Sequence, residues 1–177
     1  MRHTLGLAAV AAAATALWAC EASRTSPCPG DPVGTFAFHA TLVASDGGAC
    51  PFAPATPLDF KATVAYGTAS DAYLCVERND AQPLQGTRDG GHLELARDSS
   101  GGSVSGCSCN YQVTESLTGD VQLGPDGRPS GFQGVISDAV APPPGTDPAA
   151  CEPANEVPDA GPTCNLPCRV TWTLVGS

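Results

Sequence analysis

Apolar and polar residues alternate with period two through much of the chain beyond residue 34, and this alternation restricts the possible fold more than any other feature. In the segment LDFKATVAY (58–66), every second residue from Leu58 to Tyr66 is apolar, and most of the residues between them are polar. Successive side chains of a β-strand point to opposite faces of a sheet. The pattern therefore predicts a strand with one buried face.

Segments with the same alternation recur along the chain and are separated by residues that favour turns. Besides 58–66, the predicted strands and hairpins are 35–43, 71–78, 83–97, 107–123, 132–140 and 168–176. Within 83–97, Asp89 and Gly90 can adopt the positive φ angles of a tight hairpin turn, and Leu93 and Leu95 are expected to face inward. No segment has a convincing helical periodicity. The predicted fold class is all-β, a single disulfide-stapled antiparallel sandwich or meander barrel of about seven to nine strands.

One face of segment 107–123 is interrupted by Glu115. The apolar residues of that face are Tyr111, Val113, Leu117, Val121 and Leu123. A charged residue within an otherwise apolar face predicts a β-bulge or a crossing between sheets near Glu115. In the last predicted strand, by contrast, Val170, Trp172 and Leu174 alternate without interruption and are expected to face inward.

The first twenty residues have the features of a bacterial export signal. A short basic start is followed by Leu5 to Trp18, a run without charge that is too short to span a bilayer comfortably. The run ends in Leu17-Trp18-Ala19-Cys20, which resembles the lipobox of bacterial lipoproteins: Leu at −3, a small residue at −1 and Cys at +1. The resemblance implies that the Cys20 thiol receives a diacylglycerol, that the leader is cut before it, and that the new amine is usually acylated.

The resemblance also implies a location and a domain organisation. A lipid on Cys20 would anchor the protein to a membrane of the bacterial cell envelope. Glu21 follows the cysteine in place of the Asp that is the best-known inner-membrane retention signal, which favours the outer membrane. We predict a signal peptide over 1–19, a lipidated tether over 20–33 and a β domain over 34–177.

The β domain contains one long proline-rich acidic segment, residues 141–167. This segment has eight of the chain's seventeen prolines, four acidic residues and no lysine or arginine. Loops of this length are uncommon in compact domains and are usually either functional or without a fixed conformation. We take it, with the neighbouring strand ends, as the best candidate binding surface.

The chain contains nine cysteines, an odd number for an exported protein. With Cys20 carrying lipid, eight remain, and an oxidising compartment favours four disulfides. These eight are Cys28, Cys50, Cys75, Cys107, Cys109, Cys151, Cys164 and Cys168. We expect Cys151, Cys164 and Cys168 to pair with one another or with the strand that contains Cys107 and Cys109. The cysteine spacings are not those of typical zinc sites, and we predict no metal site and no cofactor.

No catalytic motif is complete. The segment GGSVSG (101–106) lacks the final glycine of a Gly-x-Ser-x-Gly nucleophile elbow, and is interpreted as a hairpin loop. His39 and His92 are expected on polar strand faces, as surface histidines. The loop acids that could in principle bind calcium are Asp46, Asp80, Asp126, Asp138 and Asp147. They do not form a calcium-binding loop, and we interpret them as solvated turn residues.

The sequence favours a non-catalytic envelope lipoprotein that presents a binding or structural β domain. Its formal net charge of −10 would repel the phosphates of nucleic acids, so no nucleic-acid partner is expected. Its expected partners are the membrane, through the lipid, and an unidentified protein or small ligand. One alternative is a barrel that binds a small apolar ligand, lined by Phe36, Phe38, Phe60, Tyr66 and Trp172. The other is a secreted hydrolase whose site residues are scattered in the sequence.

Overall fold

In a computed structural model of the protein, the described residues are 28–46, 50, 58–77, 81–103, 109–147, 151 and 166–177. Their strands are β1 (Asp31–Asp46), β2 (Leu58–Tyr66), β3 (Asp71–Val76), β4 (Leu84–Asp89), β5 (His92–Ser103), β6 (Asn110–Leu123), β7 (Pro129–Ala141) and β8 (Cys168–Gly176). Each strand pairs antiparallel with its neighbour in sequence order, and β8 pairs with β1 to close a barrel. The predicted all-β fold is confirmed, and of the two predicted architectures the barrel is correct.

The alternation in the sequence corresponds to the inner and outer faces of the barrel wall. Val170, Trp172 and Leu174 of β8 are buried, as are Leu93 and Leu95 of β5, which confirms their predicted inward orientation. Burying an apolar side chain of this size contributes roughly 1.5–3 kcal/mol, so each strand is held to its register by its apolar face.

Two predictions within β6 are wrong. No bulge occurs near Glu115, because β6 keeps its register with both neighbouring strands at that residue. Leu123, predicted to face inward, is 65% exposed. The register between β6 and β7 shifts between Gln122 and Leu123, and this shift ends the alternation at the last residue of the strand.

The barrel has two unlike ends, because the connections between its strands alternate between short and long stretches of chain. At one end, the tight-turn end, the links are 67–70, 90–91 and 124–128. At the other, the loop end, they are 47–57, 77–83, 104–109 and 142–167. Gly90 and Gly91 form the turn between β4 and β5, one residue later than predicted, and Gly90 has a φ of +60°. A positive φ at the first turn position is a conformation that glycine adopts at little cost.

Aromatic side chains fill the barrel toward the tight-turn end. The Phe38 ring packs edge-on against Phe132, with centroids 5.4 Å apart, and stacks on Phe60 at 5.1 Å. Gly119 and Gly134 lie opposite each other on β6 and β7 and make room for the Phe132 ring. A Cβ atom on either glycine would lie within 3 Å of that ring. This end of the barrel is therefore a packed core.

Three disulfides join described cysteines, and they correct one predicted pairing. Cys109–Cys151 ties the long segment 141–167 to the start of β6, as expected for a loop cysteine. Cys168 pairs with Cys50, in the link between β1 and β2, and not with a cysteine of its own loop or of the β6 strand. Closing the barrel brings β8 beside β1, which makes this distant pairing possible.

The third disulfide, Cys28–Cys75, fixes the segment before β1 to β3. β1 itself begins at Asp31, so residues 31–33 of the predicted tether belong to the barrel. The predicted signal peptide 1–19, Cys20 and the tether up to residue 27 lie outside the described residues. So do Cys107 and Cys164, whose pairing stays a prediction, and most of the segment 141–167.

Candidate functional site

A cavity of about 490 Å³ lies in the part of the barrel nearest the loop end. Its apolar lining includes Leu58, Phe60, Leu74, Val76, Ile136 and Trp172. Arg97, Glu115 and Asp138 line the same cavity. The cavity therefore combines an apolar wall with a compact group of charges.

The three charged residues are brought together by the strand register. Arg97 of β5 lies directly opposite Glu115 of β6, and Glu115 lies directly opposite Asp138 of β7. The residue opposite Asp138 on β8 is the apolar Val170. Directly opposite side chains on adjacent strands have Cβ atoms about 4.5–5.5 Å apart. Arg97, Glu115 and Asp138 thus form one row across the inner wall, called the charged row below.

Within the charged row, Arg97 is hydrogen-bonded to Glu115 and to the backbone. Its guanidinium donates hydrogen bonds to the Glu115 carboxylate and to the backbone carbonyl of Gln82. The side chains of Arg97 and Glu115 are only 22% and 18% exposed. The Asp138 carboxylate accepts no hydrogen bond from any described residue. It is the member of the row left available to a bound molecule.

Burial raises the pKa of the Asp138 carboxyl to about 6, because the cavity wall replaces much of the water that would stabilise its charge. The Glu115 carboxylate opposite raises this pKa further, and Arg97 opposes the shift. The effect of Arg97 is the weakest of the three, because Glu115 lies directly opposite Asp138 and Arg97 lies one strand beyond it. Above pH 6 the charged row therefore has one more negative charge than positive.

An apolar row lies one step deeper than the charged row on the same strands. Leu95, Leu117, Ile136 and Trp172 are directly opposite one another in turn across β5 to β8. Trp172 is 2% exposed, and its indole N–H has no hydrogen-bond partner among the described residues. A buried donor without a partner costs about 1–3 kcal/mol. Because that nitrogen has almost no solvent-accessible surface, it does not open into the cavity, and Asp138 is the acceptor that the cavity presents.

The residues predicted from the sequence to line a barrel cavity divide into two groups. Phe60 and Trp172 line it. Phe36 and Phe38 instead belong to the packed core, and Tyr66 lies at the tight-turn end under the Arg88 guanidinium, so none of these three contributes to this cavity.

The two histidines lie on the outer wall, as expected. His39 Nδ1 is 2.7 Å from the Asp59 carboxylate, and His92 Nδ1 is 2.9 Å from that of Asp120. All four side chains are at least 42% exposed. These are cross-strand surface pairs, which contribute little to stability and take no part in the cavity.

The sequence analysis did not identify the charged row, although the position of each member is recognisable in the sequence. Asp138 was interpreted as a solvated turn acid, but it is a strand residue in the cavity. Arg97, Glu115 and Asp138 each follow or precede an inward leucine or isoleucine by two positions. Three charges at inward positions on consecutive strands are the signal that identifies the site. Only the register shows that they stand side by side.

The described residues contain no further grouping that would suggest a metal or a membrane span. No three side chains among His, Cys, Asp and Glu converge there as metal ligands. No helix within the described ranges has the length and apolar character needed to cross a membrane.

Comparison of the chain with protein-family models, with curated proteins and with solved structures finds no match.

Proposed function

We propose that the protein is a non-catalytic lipoprotein of the bacterial envelope whose barrel binds a small molecule at the loop end. The observation that carries the proposal is the cavity of about 490 Å³, with its apolar wall and its charged row. Small-molecule sites are typically cavities of roughly 300–1,000 Å³, mostly apolar and with a few polar groups that fix orientation. Barrels of about eight strands have room for one such ligand.

Charged groups distinguish the cavity from a loosely packed core. Core positions of a small barrel are normally filled by apolar side chains. Here the wall instead holds the Asp138 carboxyl, whose pKa is raised by burial and by Glu115. The ionised carboxylate destabilises the empty protein, and a ligand that pairs with it would offset that destabilisation.

The disulfides support a role at the mouth of the cavity. Cys50–Cys168 and Cys109–Cys151 each fasten a loop-end segment to a strand. Loops held by a rigid scaffold are frequent binding surfaces. The predicted candidate surface, segment 141–167, is connected to the barrel at this same end.

The envelope location rests on the lipobox resemblance, and the three disulfides are consistent with an oxidising compartment. Cys28 is bonded to the barrel wall, so a lipid on Cys20 would be separated from the barrel by residues 21–27 alone. A fully extended chain of this length reaches about 28 Å. The barrel would then remain close to the membrane surface.

Native mass spectrometry tests the proposal. The full-length chain would be produced in a bacterium, extracted from the membranes in mild detergent and measured native, then denatured, then reduced and alkylated. We expect a polypeptide that begins at Cys20 with two or three acyl chains, eight cysteines that are alkylated only after reduction, and a non-covalent adduct in the native spectrum. An unlipidated mass would refute the anchor, and a native mass without any adduct under binding conditions would count against the ligand.

A hydrolase is the second candidate, and the charged row is the reason to retain it. A carboxyl group with a pKa of about 6 beside an ionised carboxylate is the arrangement of many general acid–base pairs. A hydrolase would release the chromophore of nitrophenyl esters or glycosides, and the activity would be lost in Asp138→Asn and Glu115→Gln. Absence of turnover, together with a stable adduct in the native spectrum, would favour the binding barrel.

A further inference from the structure

We propose that the ligand is an amphiphilic amine, whose protonated nitrogen binds Asp138 and whose apolar body lies against Phe60, Ile136 and Trp172. This inference rests on the proposed binding function and specifies its ligand class. Three observations carry it: the charge of the row, the hydrogen bonds that already occupy Arg97, and the aromatic wall of the cavity.

The charge of the row excludes an anionic head group. A carboxylate or phosphate ligand would need a free cation in the cavity, but the Arg97 guanidinium is already bonded to Glu115 and to the Gln82 carbonyl. Such a ligand would also meet two carboxylates at once. A like charge buried beside them is unfavourable, because the low local dielectric strengthens the repulsion.

A neutral apolar ligand is disfavoured for a different reason. It would displace water from the Asp138 carboxylate without replacing its hydrogen bonds, and an ion buried without a partner is costly. A protonated amine supplies both the opposite charge and several N–H donors. It neutralises the single excess negative charge of the row.

The aromatic wall suits the same head group. Phe60 and Trp172 line the cavity with the charged row, and a desolvated cation over such rings is attracted to their π faces. The remaining lining residues of β2 and β3 are apolar and would contact the hydrocarbon part.

The affinity of the protein for an amine should depend on pH, because the charge of the row changes with pH. Asp138 faces Glu115 on β6 and, beyond it, Arg97 on β5, while Val170 on β8 is apolar. Burial and Glu115 raise the pKa of Asp138 to about 6, so acid removes its charge well before that of an ordinary aspartate. At pH 5 about one tenth of Asp138 would be ionised, so the amine should bind about tenfold more weakly than at pH 7.5.

Three probes of equal chain length separate the possibilities: decylamine, decanol and decanoic acid. They would be titrated into the full-length protein in detergent just above its micelle concentration, with titration into protein-free detergent as the blank, and followed by Trp fluorescence and isothermal calorimetry. We expect decylamine to bind at least tenfold more tightly than decanol at pH 7.5, and decanoic acid to bind most weakly. Tighter binding of decanol or decanoic acid would overturn the amine but leave the binding barrel standing. Binding of none of them, with no adduct in the native spectrum, would overturn both.

Two matched variants test whether the amine binds at Asp138. Asp138→Asn should lower the decylamine affinity at least tenfold at pH 7.5, abolish its pH dependence and strengthen decanol binding, because the neutral amide costs less to desolvate than the carboxylate. Asp120→Asn removes the same charge from the outer wall and should leave all three affinities unchanged. Thermal melting of both variants checks that they are folded. A folded Asp138→Asn protein that binds decylamine as well as the wild type would overturn the proposal.

Discussion

The ionised Asp138 carboxylate should destabilise the barrel, and its replacement by asparagine should therefore stabilise it at neutral pH. The pKa of Asp138 rises from an ordinary value of 3.8 to about 6. Each pKa unit corresponds to about 1.4 kcal/mol of difference between the two protonation states. The shift of about two units would amount to about 3 kcal/mol, which we reduce to about 2 kcal/mol because the carboxyl is partly open to water.

The sign follows from proton linkage. Since the folded pKa is raised, the native state binds the proton more tightly than the unfolded state does between about pH 3.8 and 6. The destabilisation is fully present above pH 6 and disappears as the pH falls through this window. Asp138→Asn removes it, so the variant should gain stability over the wild type at pH 7.5 but not at pH 4.

The assay is thermal unfolding, followed by circular dichroism, of wild type and variant at pH 4, 5, 6 and 7.5. For a domain of this size, about 2 kcal/mol corresponds to a Tm increase of about 4–8 °C at pH 7.5. Comparing the variant with wild type at each pH cancels the titration of every other carboxylate. Asp120→Asn is the matched control and should show no such pH-dependent gain. A Tm difference between Asp138→Asn and wild type that stays constant from pH 4 to 7.5 would refute the reasoning.

Three further predictions concern the disulfides, the packed core and the lipid anchor. Complete reduction should lower the Tm sharply, because disulfides contribute about 2–4 kcal/mol each; an unchanged melt would contradict this. Gly134→Ala should destabilise the barrel by about 2–4 kcal/mol in a denaturant melt, since a Cβ would lie 2.5 Å from the Thr118 carbonyl and 2.9 Å from the Phe132 ring. Gly127→Ala, in open space with a positive φ, should cost only about 1 kcal/mol, and equal losses would argue against the packing explanation. Cys20→Ala should release the protein from the membrane fraction on centrifugation, and a variant that remains there would exclude the lipid as its anchor.

Much of the fold could be predicted from the sequence, because the alternation of apolar and polar residues identifies the two faces of each strand. Segment 58–66 was predicted to be a strand with the bounds it has, and β8 was predicted with its three inward residues. Leu123 was misplaced because a register shift depends on the neighbouring strand. The pairing of Cys168 with Cys50 could not be inferred from spacing, since it requires β8 to lie beside β1.

In the sequence, the candidate site appeared only as an interruption of an apolar pattern. Glu115 broke an apolar face, and a bulge was the local explanation for that break. The actual explanation is not local: Arg97, 18 positions away, supplies the opposite charge from the next strand. The Glu115 charge is stabilised by a partner on another strand, and sequence spacing does not identify that strand.

The sequence by itself determined that the chain forms short amphipathic strands, joined by turns and held by disulfides, because side-chain alternation and turn residues act over a few neighbouring positions. Only the tertiary structure decided that the strands close into a barrel, that one end is packed and the other hollow, and that three charges meet in the hollow end. Closure and register depend on contacts between residues far apart in the chain, whose energies no local pattern contains.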